Sequence, residues 1–343
     1  MKNGILVGGN WIIDQVKVID VFPEEEKLVS IINEYSSNGG SAYNITKGLV
    51  KLKVKFPLYG LGLVGDDERG AGIICDCDKM GIDTSQIHKL PGGHTSYTDV
   101  MTVKSTGKRT FFHQRGANAS LDINHFDFSV SNAKIFHLGY LLLLDQLDMI
   151  DPDGETRAAK VLKNAKRRGL ITSADIVSEK SERFKVVIPP SLKYIDYLFV
   201  NEFEAGMITG IDTVDINGKL LLDKCYHAAA EIIKMGVNKW VILHFPMGAI
   251  AMDHLGNSIF QASLYIPASK IQGAVGAGDA FAAGVLFGLH DEKDMKACLE
   301  LGICAAASSL FAATSSDGIL PADECLLLSK VHGFRDEAVD LNN

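Results

Sequence analysis

Residues 273–284, GAVGAGDAFAAG, place a negative charge where an anion would be expected to bind. Gly276, Ala277 and Gly278 are small residues leading into a segment whose apolar positions, Phe281, Val285 and Leu289, recur at helical spacing. A helix starting here leaves its first N–H groups without intrahelical partners, and such groups form an anion site. Asp279 sets a carboxylate beside those donors. The combination suits phosphoryl transfer: the donors stabilise charge on the transferred oxygens, and the carboxylate takes the proton of the attacking hydroxyl. Asp also caps helices well. A cap alone, however, does not need small residues at all three preceding positions, so Asp279 reads as a base and Gly276–Gly278 as an anion hole.

Two further segments carry polar groups at element boundaries. In NGGSAYNITKGLVKL (38–52), Gly39 and Gly40 precede a helix with apolar face Ala42, Ile45, Leu49 and Leu52. Paired glycines let a backbone approach a ligand closely, and Asn44 offers both donor and acceptor to hydroxyl groups; a tight turn with a capping Asn is the simpler alternative. In FVNEFEA (199–205), Asn201 and Glu204 end a strand-like run. Their spacing is that of a capping box, and equally of an Asn/Glu pair arranging the water shell of Mg²⁺. One pair can serve both purposes.

Other chemistries fit poorly. GLGLVGDDERG (60–70) contains Gly60, Gly62 and Gly65 in the dinucleotide-binding spacing, with Asp83 about 20 residues on. Asp66, Asp67 and Glu68 then stand where a pyrophosphate would bind and would repel it, so an NAD-dependent oxidoreductase is disfavoured. The six cysteines and ten histidines show no metal-ligand spacing and read as reduced, ordinary residues. A net charge of −8 with no basic face argues against a nucleic-acid partner. No leader-like start and no apolar run of about 20 residues appears, so no membrane association and a cytoplasmic location are expected.

The elements that must position these groups follow from periodicity. Strand-like runs at 133–138, 170–175, 197–200 and 239–243 alternate with helical patterns at 155–168 and 223–235, and helices dominate from 279 to about 313. This order predicts an α/β fold with a mostly parallel central sheet flanked by helices. Residues 11–22 and 95–115 read instead as strands of a small β-sheet lid, the second around a Ser-Thr-Gly turn. The whole chain, 1–343, reads as one unit.

Taken in order, NGGSAYN, GLGLVGDDERGAG, MGID (80–83), GKRTFFHQRGAN (107–118), NEFE and GAVGAGDAF resemble the ribokinase-like (PfkB) family of sugar and nucleoside kinases over nearly the whole chain. The resemblance implies a ribokinase-like fold, ATP and Mg²⁺, Asp279 as catalytic base and Gly276, Ala277 and Gly278 as the anion hole. It further implies that Asp14, Gly39, Gly40 and Asn44 contact a sugar or nucleoside acceptor. Asn201 and Gly248 would face the nucleotide, Asn201 and Glu204 would govern Mg²⁺ through water, and two copies would pair through the lid.

The chain departs from the family pattern on the nucleotide side. Gly273, Ala274 and Val275 replace oxygen-bearing residues that hold a monovalent cation, and Leu243–Gly248 replaces a Thr-x-Gly-x-x-Gly run, with Phe245 at a Gly position. Asp175-Ile176-Val177 replaces Asp-x-Asn. The leading expectation is an ATP-dependent kinase acting on a sugar-like hydroxyl. A nucleoside kinase, or a sugar-binding sensor that has lost ATP use, are the alternatives.

Overall fold

The computed structural model describes residues 2–335, so Met1 and residues 336–343 of the expected unit lie outside the described residues. In chain order the elements begin β1 (Ile5–Gly9), β2 (Ile12–Ile19), β3 (Ile31–Gly39), α1 (Ser41–Lys51), β4 (Leu58–Gly65), α2 (Glu68–Lys79), β5 (Asp83–Leu90), β6 (Tyr97–Val103) and β7 (Arg109–Gln114). They continue with β8 (Ile135–Leu141), α3 (Arg157–Arg167), β9 (Ile171–Ile176), α4 (Phe184–Val187), α5 (Pro189–Leu192), β10 (Tyr197–Asn201), α6 (Glu202–Thr209) and α7 (Leu222–Lys234). The last are β11 (Trp240–Phe245), β12 (Gly248–Asp253), β13 (Ser258–Ala262), α8 (Ala277–His290), α9 (Met295–Ser309) and α10 (Ala322–His332).

Nine strands form the central sheet in the order β13-β12-β11-β10-β9-β8-β1-β4-β5. All neighbours from β11 to β5 are parallel, and only β12 and β13 turn antiparallel. Side chains of a strand alternate between faces, and the core divides accordingly. Leu6 packs with Phe136, Leu162 and Ile232 in one buried cluster, whereas its neighbours Ile5 and Val7 pack with Leu49, Phe281 and Leu299 in the other. Helices α3, α6 and α7 contribute to the first cluster, and α1, α2, α8 and α9 to the second. The sheet is therefore sandwiched between two helical layers.

A second sheet has the order β3-β2-β6-β7, with β2 and β6 parallel and the outer pairs antiparallel. Two of its segments match the expected lid strands. β3 does not appear in the sequence reading, because IINEYSSNG carries no period-2 alternation and most of the strand is exposed.

The dinucleotide-like segment has a structural explanation. Asp67 caps α2, accepting from Gly70 N at 2.8 Å, and also accepts from Thr95 N at 2.8 Å. The N–H groups a pyrophosphate would use are thus already met by a carboxylate. Among the described residues, no helix is long and apolar enough to cross a membrane.

Candidate active site

Four strands of the central sheet deliver polar side chains to one place because parallel strands end on the same edge of the sheet. Tyr140 lies near the end of β8, Asp175 near the end of β9, Asn201 at the end of β10 and His244 near the end of β11, while Asp14 comes from the lid strand β2. All five line a cavity of about 510 Å³, together with Gly40, Asn44 and residues 274–279.

Asp279 sits in the first turn of α8, 6% exposed. The helix starts at Gly276, whose φ of 72° a side chain rarely tolerates; a Cβ there would also lie 2.5 Å from Ser315 Cβ. Asn44 Nδ2 donates to Asp279 Oδ2 at 2.8 Å, and the Tyr140 hydroxyl lies 2.8 Å from both carboxylate oxygens. Asn44 is itself held: its Oδ1 accepts from Asn38 Nδ2 at 2.7 Å and from Ser315 Oγ at 3.1 Å. This fixes the amide orientation and leaves one Nδ2 hydrogen for a ligand.

Burial pushes the Asp279 carboxyl up to about 7, reinforced by the nearby Asp175 charge and opposed by the hydrogen bonds from Asn44 and Tyr140. Burial likewise raises Asp14 to about 7, against the hydroxyl of Thr98. Asp175 accepts from Ser41 Oγ at 2.7 Å through Oδ2, and its Oδ1 is buried without a hydrogen-bond partner. Asp14 and Asp175 thus line the cavity close enough to Asp279 for their charges to act on it.

Gly39 does not line the cavity. A Cβ on it would lie 2.2 Å from Asp14 Oδ1, so its place is behind that carboxylate, where only hydrogen fits. Gly40, at φ 79°, precedes α1 and reaches the lining.

The Asn201–Glu204 pair forms the capping box: Asn201 Oδ1 accepts from Glu204 N at 2.8 Å, and Glu204 Oε2 from Asn201 N at 2.8 Å. Both residues also line the cavity, beside Ser178, which donates to Glu204 Oε1 at 2.6 Å. Burial raises the Glu204 carboxyl to about 8.

A second cavity of about 480 Å³ lies against the first. Asn201, His244, Ala274, Ala277 and Gly278 line both. The rest of its wall is mainly apolar, including Leu264, Ile266, Ile271, Ile303 and Leu310, and Gly248 belongs to it. A Cβ on Gly248 would meet Gln261 O at 2.4 Å. Phe245 also lines this cavity but is 6% exposed, its ring 6.3 Å from that of Phe260. The ring thus packs into the core while one side of it closes this cavity.

Tyr140, Asp175 and His244 were not predicted as site residues. Tyr140 lies in a run that reads simply as a buried strand, and a side chain meeting Asp279 across 139 residues leaves no local signal.

The sandwiched, mostly parallel sheet with a four-stranded lid over its carboxyl edge defines a ribokinase-like fold. The structure superposes on ribokinase from Thermotoga maritima with a TM-score of 0.77 at 22% identity, covering 96% of this chain and 99% of that one. It also superposes on Arabidopsis thaliana ribokinase complexed with ribose and ATP, with a TM-score of 0.74 at 23% identity and coverage of 96% and 99%. In sequence it is 25% identical over 298 residues to 5-dehydro-2-deoxygluconokinase of Clostridium perfringens, covering 84% of this chain and 82% of that protein. Residues 7–322 match the family model described as pfkB family carbohydrate kinase, and the chain belongs to that family.

Proposed function

We propose that the protein is an ATP-dependent kinase that phosphorylates a hydroxyl of a sugar or sugar-like acceptor, with Asp279 as general base. The observation that carries this reading is the position of Asp279: a buried carboxylate at a helix N-terminus where two cavities meet. The cavity that holds Asp14 and Asn44 takes the acceptor, and the apolar one beside Gly248 takes the base and ribose of ATP. Burial lifts this carboxyl toward the neutral range, which suits a base that must accept and release a proton.

In the step, the acceptor oxygen forms a bond to the γ-phosphorus, the bond from phosphorus to the β–γ bridging oxygen breaks, and ADP leaves. The hydroxyl proton goes to Asp279. The N–H groups of Gly276, Ala277 and Gly278 take up charge on the transferred oxygens.

Mg²⁺ fits the residues present. Among the described residues there is no cluster of three or more acidic, His or Cys ligands, but Mg²⁺ keeps most of its waters and needs few protein oxygens. The unpartnered Asp175 Oδ1, Asn201 and Glu204 line one cavity, and burial, with a smaller push from the Asp175 charge, raises Glu204. Such neighbouring oxygens suit a hydrated cation, which would supply charge neutralisation for the phosphates.

Pairing of two copies through the lid is supported by its exposed apolar groups: Phe22, Ile31, Ile32 and Phe112 are each 45–50% exposed, and the rings of Phe22 and Phe112 stack at 6.5 Å. A reducing, cytoplasmic setting is supported by six unpaired cysteines, five of them buried.

The test is ADP release measured over a panel of ketoses, aldoses, sugar acids and nucleosides. Asp279→Ala should lower kcat by about 10²- to 10⁴-fold with the best acceptor. Tight acceptor binding with no ADP release anywhere in the panel would favour a sensor instead.

A further inference from the structure

The lid supplies the acceptor cavity with a single cation. Side chains of β7 alternate, and Arg109, Phe111 and His113 all line the cavity. Among the described residues, Arg109 is the only Lys or Arg in that lining. It has no carboxylate partner among the described residues; the titratable group that acts on it is the Tyr35 phenol, whose proton burial holds in place. Its guanidinium packs over the loop that leads to the anion hole, where a Cβ on Gly273 would lie 2.9 Å from Arg109 Nη2. Two strand positions on, His113 Nδ1 lies 3.0 Å from Thr98 Oγ1, while its Nε2 is buried with no hydrogen-bond partner. Burial and the Arg115 charge hold this imidazole down at about 4, so it is neutral near pH 7.

A half-buried guanidinium without a carboxylate is an arrangement completed by an anion, since its planar fork matches carboxylate and phosphate oxygens. The cavity's other charged side chains are acidic, Asp14, Asp175, Glu204 and Asp279, and its other anion donors are the N–H groups of Gly276–Gly278, assigned above to the transferred phosphoryl group. Arg109 lines this cavity and not the apolar one beside Gly248, and with the phosphoryl group given to Gly276–Gly278 its fork is left to the acceptor.

Building on the kinase reading, we infer that the acceptor bears an anionic group, a carboxylate or a phosphate ester, which Arg109 engages while His113 hydrogen-bonds beside it. The cavity's acids receive the acceptor's hydroxyls, and the reacting one meets Asp279. Discrimination between an acidic sugar and its neutral counterpart then resides in the lid.

Matched acceptor pairs test this: D-gluconate against D-glucitol, and ribose 1-phosphate against ribose, with equilibrium binding by calorimetry and turnover by ADP release. The wild type should bind at least one anionic member more tightly than its neutral counterpart. Arg109→Gln should weaken that binding about 10- to 100-fold, the range for losing a charged hydrogen bond, while leaving the neutral member and the KM for ATP unchanged. His113→Gln should give a smaller loss in the same direction, and Arg109→Lys a partial recovery. Equal binding of both members of each pair by the wild type overturns the inference, as does an equal effect of Arg109→Gln on both. A raised KM for ATP with every acceptor also overturns it, because the guanidinium would then serve the nucleotide. The kinase reading fails separately, if anionic acceptors bind but none drives ADP release.

Discussion

Replacing Asp279 with Asn removes a buried charge while leaving its hydrogen-bonding possibilities in place, so function and stability should move in opposite directions. The amide oxygen can still accept from Asn44, and the amide nitrogen can donate to the Tyr140 oxygen. In the wild type the carboxyl rises from 3.8 to about 7, through burial, the charges of Asp175 and Asp14, and against the bonds from Asn44 and Tyr140. The folded state therefore holds its proton where the unfolded chain has lost it, and wild-type stability falls as pH rises from about 4 to about 7. At ~1.4 kcal/mol per unit, the full shift corresponds to a ceiling of ~4 kcal/mol, of which roughly 2–3 kcal/mol develops between pH 5 and pH 8. Urea unfolding of the ligand-free protein at the two pH values reads this directly. The Asn variant should gain on the wild type by that amount at pH 8 relative to pH 5, while its kcat drops by about 10² or more. A stability difference that does not change with pH would refute the buried-carboxylate argument, and near-wild-type turnover would refute the base.

Four further perturbations follow. The kcat–pH profile should have an acid limb near pH 7, and Tyr140→Phe should move it up by about one unit by removing a donor that stabilises the charged carboxylate; an unmoved limb would show that Tyr140 does not act on Asp279. Gly276→Ala, forced into a positive φ and against Ser315, should misplace the anion hole and cost about 10²- to 10³-fold in kcat in steady-state assays. Turnover should be the same in Na⁺ and K⁺ buffers, because Gly273, Ala274 and Val275 offer no side-chain oxygens; activation by K⁺ would contradict this. Phe112→Glu should convert a lid-paired dimer to monomer in sedimentation velocity, whereas an unchanged sedimentation coefficient would place any pairing elsewhere.

The parallel sheet was legible because β8, β9, β10 and β11 are short apolar runs separated by amphipathic helices, and burial on both faces demands that pattern. The lid was half legible. β2, β6 and β7 alternate or flank a turn, but β3 has solvent on much of its length and so lacks the pattern that burial imposes. At the site, Asp279 and Gly276–Gly278 could be read because a helix N-terminus is a local feature. Asn44 could be noted as polar, but that it holds Asp279 depends on Asn38 and on Ser315, the latter 271 residues away. Tyr140 and Asp175 join the site only because strands with unrelated local sequences end on one edge. That Gly39 stands against the Asp14 carboxyl is a contact between two strands, which no local signal announces.

The wall between the two cavities has a consequence for how such an enzyme can change. Asn201, His244, Ala274, Ala277 and Gly278 belong to both chambers, and at Gly278 an added methyl would already press within 3.2 Å of His244 Cε1. With so little material between them, the two chambers have no separate boundary to adjust. A side chain added at Ala274, Ala277 or Gly278 intrudes on both, so under the proposed assignment donor and acceptor preferences are linked traits at these positions. On the same proposed assignment, independent tuning is left to the far walls: the lid strands for the acceptor, and the apolar slot formed by Leu264, Ile271 and Ile303 for the nucleotide.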